Sequence, residues 1–276
     1  MGRKLKTAIG LAIGTVAAWA CAVRPRIFDK PDLSEIRRFD YARGGWFDRK
    51  KQIPENSLPA FRAAVEHGYG IRLDVRLCRD GEPVVCRDSR LFRMCGAGGT
   101  VENSTLEELR ELQLDGTENG IPTLEEALGE IDAQVPVILC LHSEEDNYNS
   151  LASQACAACD CYDGVFTVEA DDPRVLRWFR KNRREYIRGT VIDGRHTSGN
   201  DLMHLLWDFC CFSMLLNFLT EPDYVSVSLD SRINPSLWIC RLFYRIQRMD
   251  WTVRTLEEYE AVRTAGSIAV FEEIEP

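Results

Sequence analysis

A chain of 276 residues is long enough for one large domain or two small ones around a buried core. With 28% charged and 45% hydrophobic residues, it is not a disordered chain, a collagen-like repeat or a polytopic membrane protein. A formal net charge of -9 argues against a general nucleic-acid binder.

The charge is uneven along the chain. Residues 1–26 carry Arg3, Lys4, Lys6, Arg24 and Arg26 and no acid. Between Lys6 and Arg24, Thr7 to Val23 is an uncharged run of 17 residues. As a helix it spans about 26 Å, a little under the ~30 Å of a hydrocarbon core, and the flanking cations can snorkel across the difference. Three readings compete: a retained signal anchor, a signal peptide cleaved at Ala18-Trp19-Ala20, and a lipoprotein box at Ala20-Cys21. The anchor is adopted, which divides the chain into a membrane anchor, 1–26, and a body, 27–276. Eleven irregularly spaced cysteines, an odd number, suit reduced thiols and a body on the cytoplasmic side.

From Phe39 onward, short runs rich in Val and Ile alternate with helical patterns. Strands are expected at Phe39–Ala42, Ile71–Leu77, Pro83–Cys86, Val135–Leu141, Gly164–Val168, Ile187–Ile192, Tyr224–Ser228, Asp250–Val253 and Ile268–Phe271. Helix starts are expected at Asn56 or Ser57, at a Ser104/Glu107 capping box, at Thr123/Glu126, at Asp172-Pro173 and at Thr255. About eight strand–helix repeats over this length predict an α/β fold, a closed (β/α)8 TIM barrel, with an open doubly wound sheet as the alternative. Gly96-Ala97-Gly98-Gly99 lacks the ending of a phosphate-binding loop and reads as a surface turn. Leu202 to Leu219 contains His204, Asp208 and Asn217, too polar for a span. It reads as a buried or amphipathic helix, or as one lying in a membrane interface.

Chemistry in such a barrel belongs at the C-terminal strand ends. Those ends read Ala42-Arg43-Gly44-Gly45, Pro54-Glu55-Asn56-Ser57, Gly70-Ile71-Arg72-Leu73-Asp74-Val75, Pro83-Val84-Val85-Cys86-Arg87-Asp88, Val137-Ile138-Leu139-Cys140-Leu141-His142 and Trp251-Thr252-Val253. This succession resembles the glycerophosphodiester phosphodiesterase family from about Phe39 to the C-terminus. The resemblance implies a TIM barrel of the phospholipase C-like phosphodiesterase type. It also implies cleavage of a glycerol phosphodiester by two histidines acting as general acid and base, with a divalent cation, Ca or Mg.

The resemblance also exposes departures. The two family histidines fall at Ala42 and Arg87, and the three acidic metal ligands fall at Arg72, Asp74 and Cys140, so Asp74 is the single surviving ligand position. Glu55 and Asp88 are retained polar residues of the family site, as are Arg43 and Trp251. A methyl group transfers no proton and an arginine is no base at neutral pH. One carboxylate is too few for a hard cation, so no cofactor is expected. Arg43, Arg72, Arg87 and Trp251 are instead expected to bind a phosphorylated glycerol or a phospholipid headgroup. The plainer alternative pairs Arg72 with Asp74 or Glu55, and Arg87 with Asp88.

The expectation is therefore a membrane-tethered pseudoenzyme of this family, with weak or altered phosphodiester cleavage through Glu55, Asp74, Asp88 or His142 as the alternative and a scaffold as the third. Cys140 and His142 are read as facing opposite sides of their strand, a poor pair of ligands. Cys156, Cys159 and Cys161 read as helix residues with their thiols packed inward, rather than as a metal site. His67 suits a helix end, His196 and His204 have no assigned partner, and Glu144-Glu145-Asp146 reads as a solvated loop.

Overall fold

The structure is a computed structural model that describes residues 3–193 and 201–276, with side chains from Ile13 onward. All nine expected strands are present: β1 Tyr41–Arg43, β2 Gly70–Leu77, β3 Pro83–Val85, β4 Val137–Leu141, β5 Phe166–Ala170, β6 Arg188–Ile192, β7 Tyr224–Ser228, β8 Gln247–Val253 and β9 Ile268–Phe271. Eight pair in parallel in the order β1-β9-β8-β7-β6-β5-β4-β2, and the β1–β2 pairing closes the ring. This is the closed (β/α)8 barrel. The ninth, β3, runs antiparallel to β2 and stands outside the ring. Only five residues separate β2 from β3, too few for the crossover that a parallel pair needs.

Two apolar layers hold the barrel. Val, Leu and Ile from the outward faces of β2, β4 and β5 pack against the surrounding helices. Inside, Tyr41, Ile138, Tyr224, Met249, Ile268 and Val270 fill the lower barrel. They form a dry floor on which the polar residues of the strand tips rest. A cavity of about 190 Å³ lined by Arg26, Lys30, Asp223, Arg245 and Gln247 lies at the opposite, N-terminal end and contains none of the family positions.

Helix caps follow the expected chemistry with one shift. Ser57 accepts from the Ala60 amide, Asp172 accepts from Arg174 ahead of the Pro173 helix, and Thr123/Glu126 and Thr255/Glu258 form reciprocal boxes. The box expected at Ser104/Glu107 is instead Thr105/Glu108, because Thr105 is the extended residue whose hydroxyl reaches the third helical amide.

The N-terminal run forms a helix, Arg3–Ala22. Among the described residues, no helix is long and apolar enough to cross a membrane, so the spanning anchor expected at Thr7–Val23 finds no support there. The C-terminal end of this helix is fastened to the barrel. Trp19 Nε1 donates to Ser236 Oγ at 2.9 Å, Tyr244 OH donates to the Ala20 carbonyl at 2.8 Å, and Val23 is fully buried. Arg26 then pairs with Asp223 at 3.2 Å, with both side chains buried.

The segment 202–219 is not one helix. It breaks into Leu202–Phe212 and Asn217–Thr220 around Met214, whose φ is +54°. The first piece is not buried: Leu202, Met203, Leu205, Leu206 and Phe209 are exposed. Cys156 and Cys159 do pack inward from the helix Tyr148–Asp160, while Cys161 is exposed.

Candidate functional site

Side-chain alternation along the ring sends Arg43, Arg72, Asp74, Cys140, His142, Glu169 and Trp251 to the inside near the C-terminal end. Arg72 is the centre of this group. Its Nε donates to Glu169 Oε1 at 2.5 Å, its Nη2 lies 3.1 Å from Cys140 Sγ, and its Nη1 lies 3.7 Å from Asp74 Oδ1. All four residues are buried. Burial works against the guanidinium charge, but the carboxylates of Glu169 and Asp74 beside it outweigh burial and hold it protonated. Tyr224 OH completes the cluster, bonded to Thr167 at 2.8 Å and to Glu169 Oε2 at 3.2 Å.

Above this pair lies an Asp–His contact. His142 Nε2 is 2.8 Å from Asp74 Oδ1, and the imidazole is one-fifth exposed. Burial alone would raise the Asp74 carboxyl, but the His142 hydrogen bond and the charges of Arg43 and Arg72 hold it well below the usual carboxylate range. A carboxylate depressed on folding contributes stability that is complete above its unfolded pKa of about 3.9 and is lost as pH falls through the lower folded value. Asp74→Asn should therefore flatten the loss of stability below about pH 4, measured by urea unfolding across pH 2–7. An unchanged acid limb would remove Asp74 from that role.

The second arginine, Arg43, donates from Nη1 to Thr252 Oγ1 at 2.7 Å. Burial brings its pKa down to about 10, with Asp74 and Glu272 opposing and Arg72 and Arg87 adding to the shift, so it remains charged at neutral pH. Arg43 and Arg72 stand over the Trp251 ring at 4.8 and 5.2 Å, within cation–π range. Glu272 lies 4.0 Å from Arg43 and 3.9 Å from Arg87, and Arg254 pairs with it at 2.5 Å.

The plainer pairing expected from sequence is thus half correct. Arg72 does approach Asp74, but its main partner is Glu169, not Glu55. Arg87 faces Glu272, not Asp88. Glu55 and Asp88 both bind Arg93, which locks them at the rim. Arg93, Glu169, Thr252 and Glu272, and around them Thr167, Tyr224 and Arg254, were not singled out in the sequence. Glu169 lies one residue past the expected end of its strand and Glu272 one past Phe271, so both were open to the same strand-end reasoning.

The expectation for Cys140 and His142 is overturned. They are two residues apart on β4, so the period of two puts them on the same face. With Asp74 they bring ligand atoms within 4.8 Å of one another, a group that could hold a metal ion. Its chemistry does not suit Ca or Mg, which need six or more oxygens. Asp74 Oδ2 is one buried oxygen without a hydrogen-bond partner. Burial keeps the Cys140 thiol protonated by raising it well above its ordinary value, against the pull of Arg72, and the Arg72 guanidinium stands against both groups. These residues do not fit a hard divalent cation.

The remaining histidines are structural or undescribed. His67 Nδ1 lies 2.8 Å from the Ala63 carbonyl at a helix end, His204 pairs with Asp201 at 2.6 Å, and His196 lies outside the described residues. The acidic loop is partly held, with Asp146 on Arg174 at 2.9 Å and Glu144 3.7 Å from Arg76.

A closed (β/α)8 barrel whose C-terminal mouth holds paired arginines and carboxylates defines the fold class. Residues 49–185 match the Glycerophosphoryl diester phosphodiesterase family. The chain is 44% identical over 63 residues to a glycerophosphodiester phosphodiesterase of Caldanaerobacter subterraneus, covering 22% of this chain and 26% of that one. It is 35% identical over 97 residues to human glycerophosphodiester phosphodiesterase 1, covering 32% and 28%. The chain thus spans about a quarter of the length of the curated relatives it matches. Its fold is similar to that of an Oleispira antarctica phosphodiesterase solved in complex with the product sn-glycerol-3-phosphate, with TM-score 0.67 and 20% identity over 84% of this chain and 91% of that one. Residues 49–185 are thus identified as glycerophosphodiester phosphodiesterase family sequence.

Proposed function

We propose that the barrel binds the phosphoryl end of a glycerophosphoryl group, free or as a lipid headgroup, and does not hydrolyse it. One observation carries this reading. Arg43 Nε, Arg72 Nη1 and Trp251 Nε1 are buried N–H groups without an acceptor among the described residues, and their side chains stack on one another. A buried donor left unpaired costs about 1–3 kcal/mol. Three together favour an oxygen-rich anion, and the planar guanidinium fork matches phosphate oxygens.

Turnover by the family route lacks its parts. Ala42 offers no proton, Arg87 accepts none, and Arg72 supplies by its own charge what a cation would otherwise supply to the phosphate. The N-terminal helix is read as the element that tethers the barrel to a membrane, with the body on the cytoplasmic side; the free thiols of all eleven cysteines suit that side.

Millimolar glycerol 3-phosphate in EDTA should raise the melting temperature. At one hundred times Kd, ligand binding stabilises by about 2.7 kcal/mol, or about 5–10 °C for a chain of this size. Arg43→Ala should abolish the shift. Its absence in the wild type sinks the binding reading and leaves a scaffold.

The Asp74–His142 contact favours a second reading, residual phosphodiester cleavage. There His142 would act as a general base on water, oriented by Asp74. Release of glycerol phosphate from glycerophosphocholine, lost in His142→Ala, decides for it.

A further inference from the structure

Asp74 and Cys140 are register partners on neighbouring parallel strands, β2 and β4, and both are buried inside the barrel. His142 lies two residues beyond Cys140 on the same face. Its amide donates to the Val75 carbonyl of β2 at 2.9 Å, which holds it beside Asp74. Two adjacent strands thus bring an oxygen, a sulfur and a nitrogen to one point. His142 Nε2 is 2.8 Å from Asp74 Oδ1, and all three donor atoms lie within 4.8 Å of one another. Ligands of a tetrahedral zinc ion, ~2.0–2.3 Å from the metal, stand about 3.3–3.6 Å apart, between those two values.

The donor set selects the metal. The three side chains that do not suit Ca or Mg match the Cys, His and carboxylate ligands that zinc takes. A second observation is independent of the grouping. Asp74 is 1% exposed, and its Oδ2 has no hydrogen-bond partner, so a buried carboxylate keeps an acceptor to which the protein brings no proton. Arg72 is the neighbour to be accommodated. Its charge is met from the other side by Glu169 at 2.5 Å, and its Nη2 stands 3.1 Å from Cys140 Sγ. An N–H aimed at the sulfur is an outer-shell contact that steadies a metal-bound thiolate.

We propose that Asp74, Cys140 and His142 form a three-ligand site for a zinc-class ion, in ligand set and metal unlike the three-carboxylate site that the family resemblance implies. On binding, the Cys140 thiol loses its proton to water and the ring proton of His142 sits on Nδ1. Sγ, Nε2 and an Asp74 oxygen are then free to coordinate. The Asp74 carboxylate and the Cys140 thiolate together balance the charge of a divalent ion. Three protein ligands leave a fourth position open, and the one-fifth exposed imidazole marks the way in from the mouth. The inference goes beyond the anion reading and does not rest on it.

The test is metal binding by the full chain, stripped with EDTA, kept reduced and free of glycerol phosphate. Zinc, titrated against a chromophoric chelator, should bind at one equivalent per chain, at least about a hundredfold tighter than Ca or Mg. Cobalt in place of zinc should show a thiolate charge-transfer band that Cys140→Ser abolishes. His142→Ala should weaken zinc binding by more than the ~10–100-fold that loss of an outer-shell partner costs. Cys21→Ser/Cys161→Ser, at two exposed thiols, should change neither readout. Should Cys140→Ser misfold, His142→Ala, at its partly exposed position, decides by affinity. Zinc binding that survives Cys140→Ser and His142→Ala, or that disappears in Cys21→Ser/Cys161→Ser, overturns the site, as does a preference for Ca or Mg. Failure of glycerol 3-phosphate to stabilise the chain in EDTA leaves this site standing, and absence of zinc binding leaves the anion reading standing.

Discussion

Replacing Arg72 with methionine should destabilise the barrel by about 3–5 kcal/mol, because it leaves Glu169 charged, buried and without its partner. For a chain of this size that is about 6–20 °C of melting temperature. The pair lies in the barrel interior with its charges 2.5 Å apart, and neither residue reaches solvent. Removing both charges is a different experiment. Arg72→Met/Glu169→Met trades a desolvated ion pair for apolar volume, and such exchanges are often neutral. The double variant should therefore recover most of the loss, measured by denaturant unfolding at pH 7. Equal destabilisation by the single and double variants would mean that Arg72 is held by shape rather than by charge.

The second large effect is a gain. Ala42→His, Arg72→Glu, Arg87→His and Cys140→Glu together restore the family's acid–base and ligand types at the strand ends. Each general acid or base contributes about 10²- to 10⁴-fold in rate, so hydrolysis of glycerophosphocholine should rise by at least about 10²-fold in the presence of Ca or Mg. The geometry adds a second, independent readout. Glu169 remains beneath the site, so the rebuilt mouth collects several carboxylates with Arg43 as the one guanidinium left over the Trp251 ring. The variant should be poorly folded in EDTA and stabilised by added divalent cation. A variant that folds equally well with and without metal, and hydrolyses nothing, would show that these four positions do not account for the departure from the family.

Much of this was legible before the coordinates. Nine apolar runs gave nine strands, but the short gap after Leu77, which sets β3 apart from the parallel ring, went unused. The site was legible where strand ends were read in full. Arg43, Arg72, Asp74 and Trp251 share one layer of the barrel, since inward positions of the strands stack there, and Arg87 reaches the same Glu272 as Arg43. It was not legible where a strand was ended too soon. Glu169 and Glu272 each lie just past an expected boundary, and with them went the true partners of Arg72 and Arg87. Arg93 was hidden for another reason: it sits on a short helix after β3, and only the folded loop brings it to Glu55 and Asp88. The misplacement of His142 relative to Cys140 was an error of strand period rather than of missing information. The exposed helix at Leu202 went against the usual preference for burying leucines, which a water-facing rule applied to one sequence has no means of detecting.

The junction between the N-terminal helix and the first strand has a mechanical meaning. With Val23 enclosed and Arg26 clamped to Asp223, the connection is a welded joint rather than a flexible leash. Whatever surface the helix lies against, the barrel axis is then presented at one fixed angle and height. Inserting a few glycines after Arg24 would alter reach and aim together, without touching any residue that contacts a ligand.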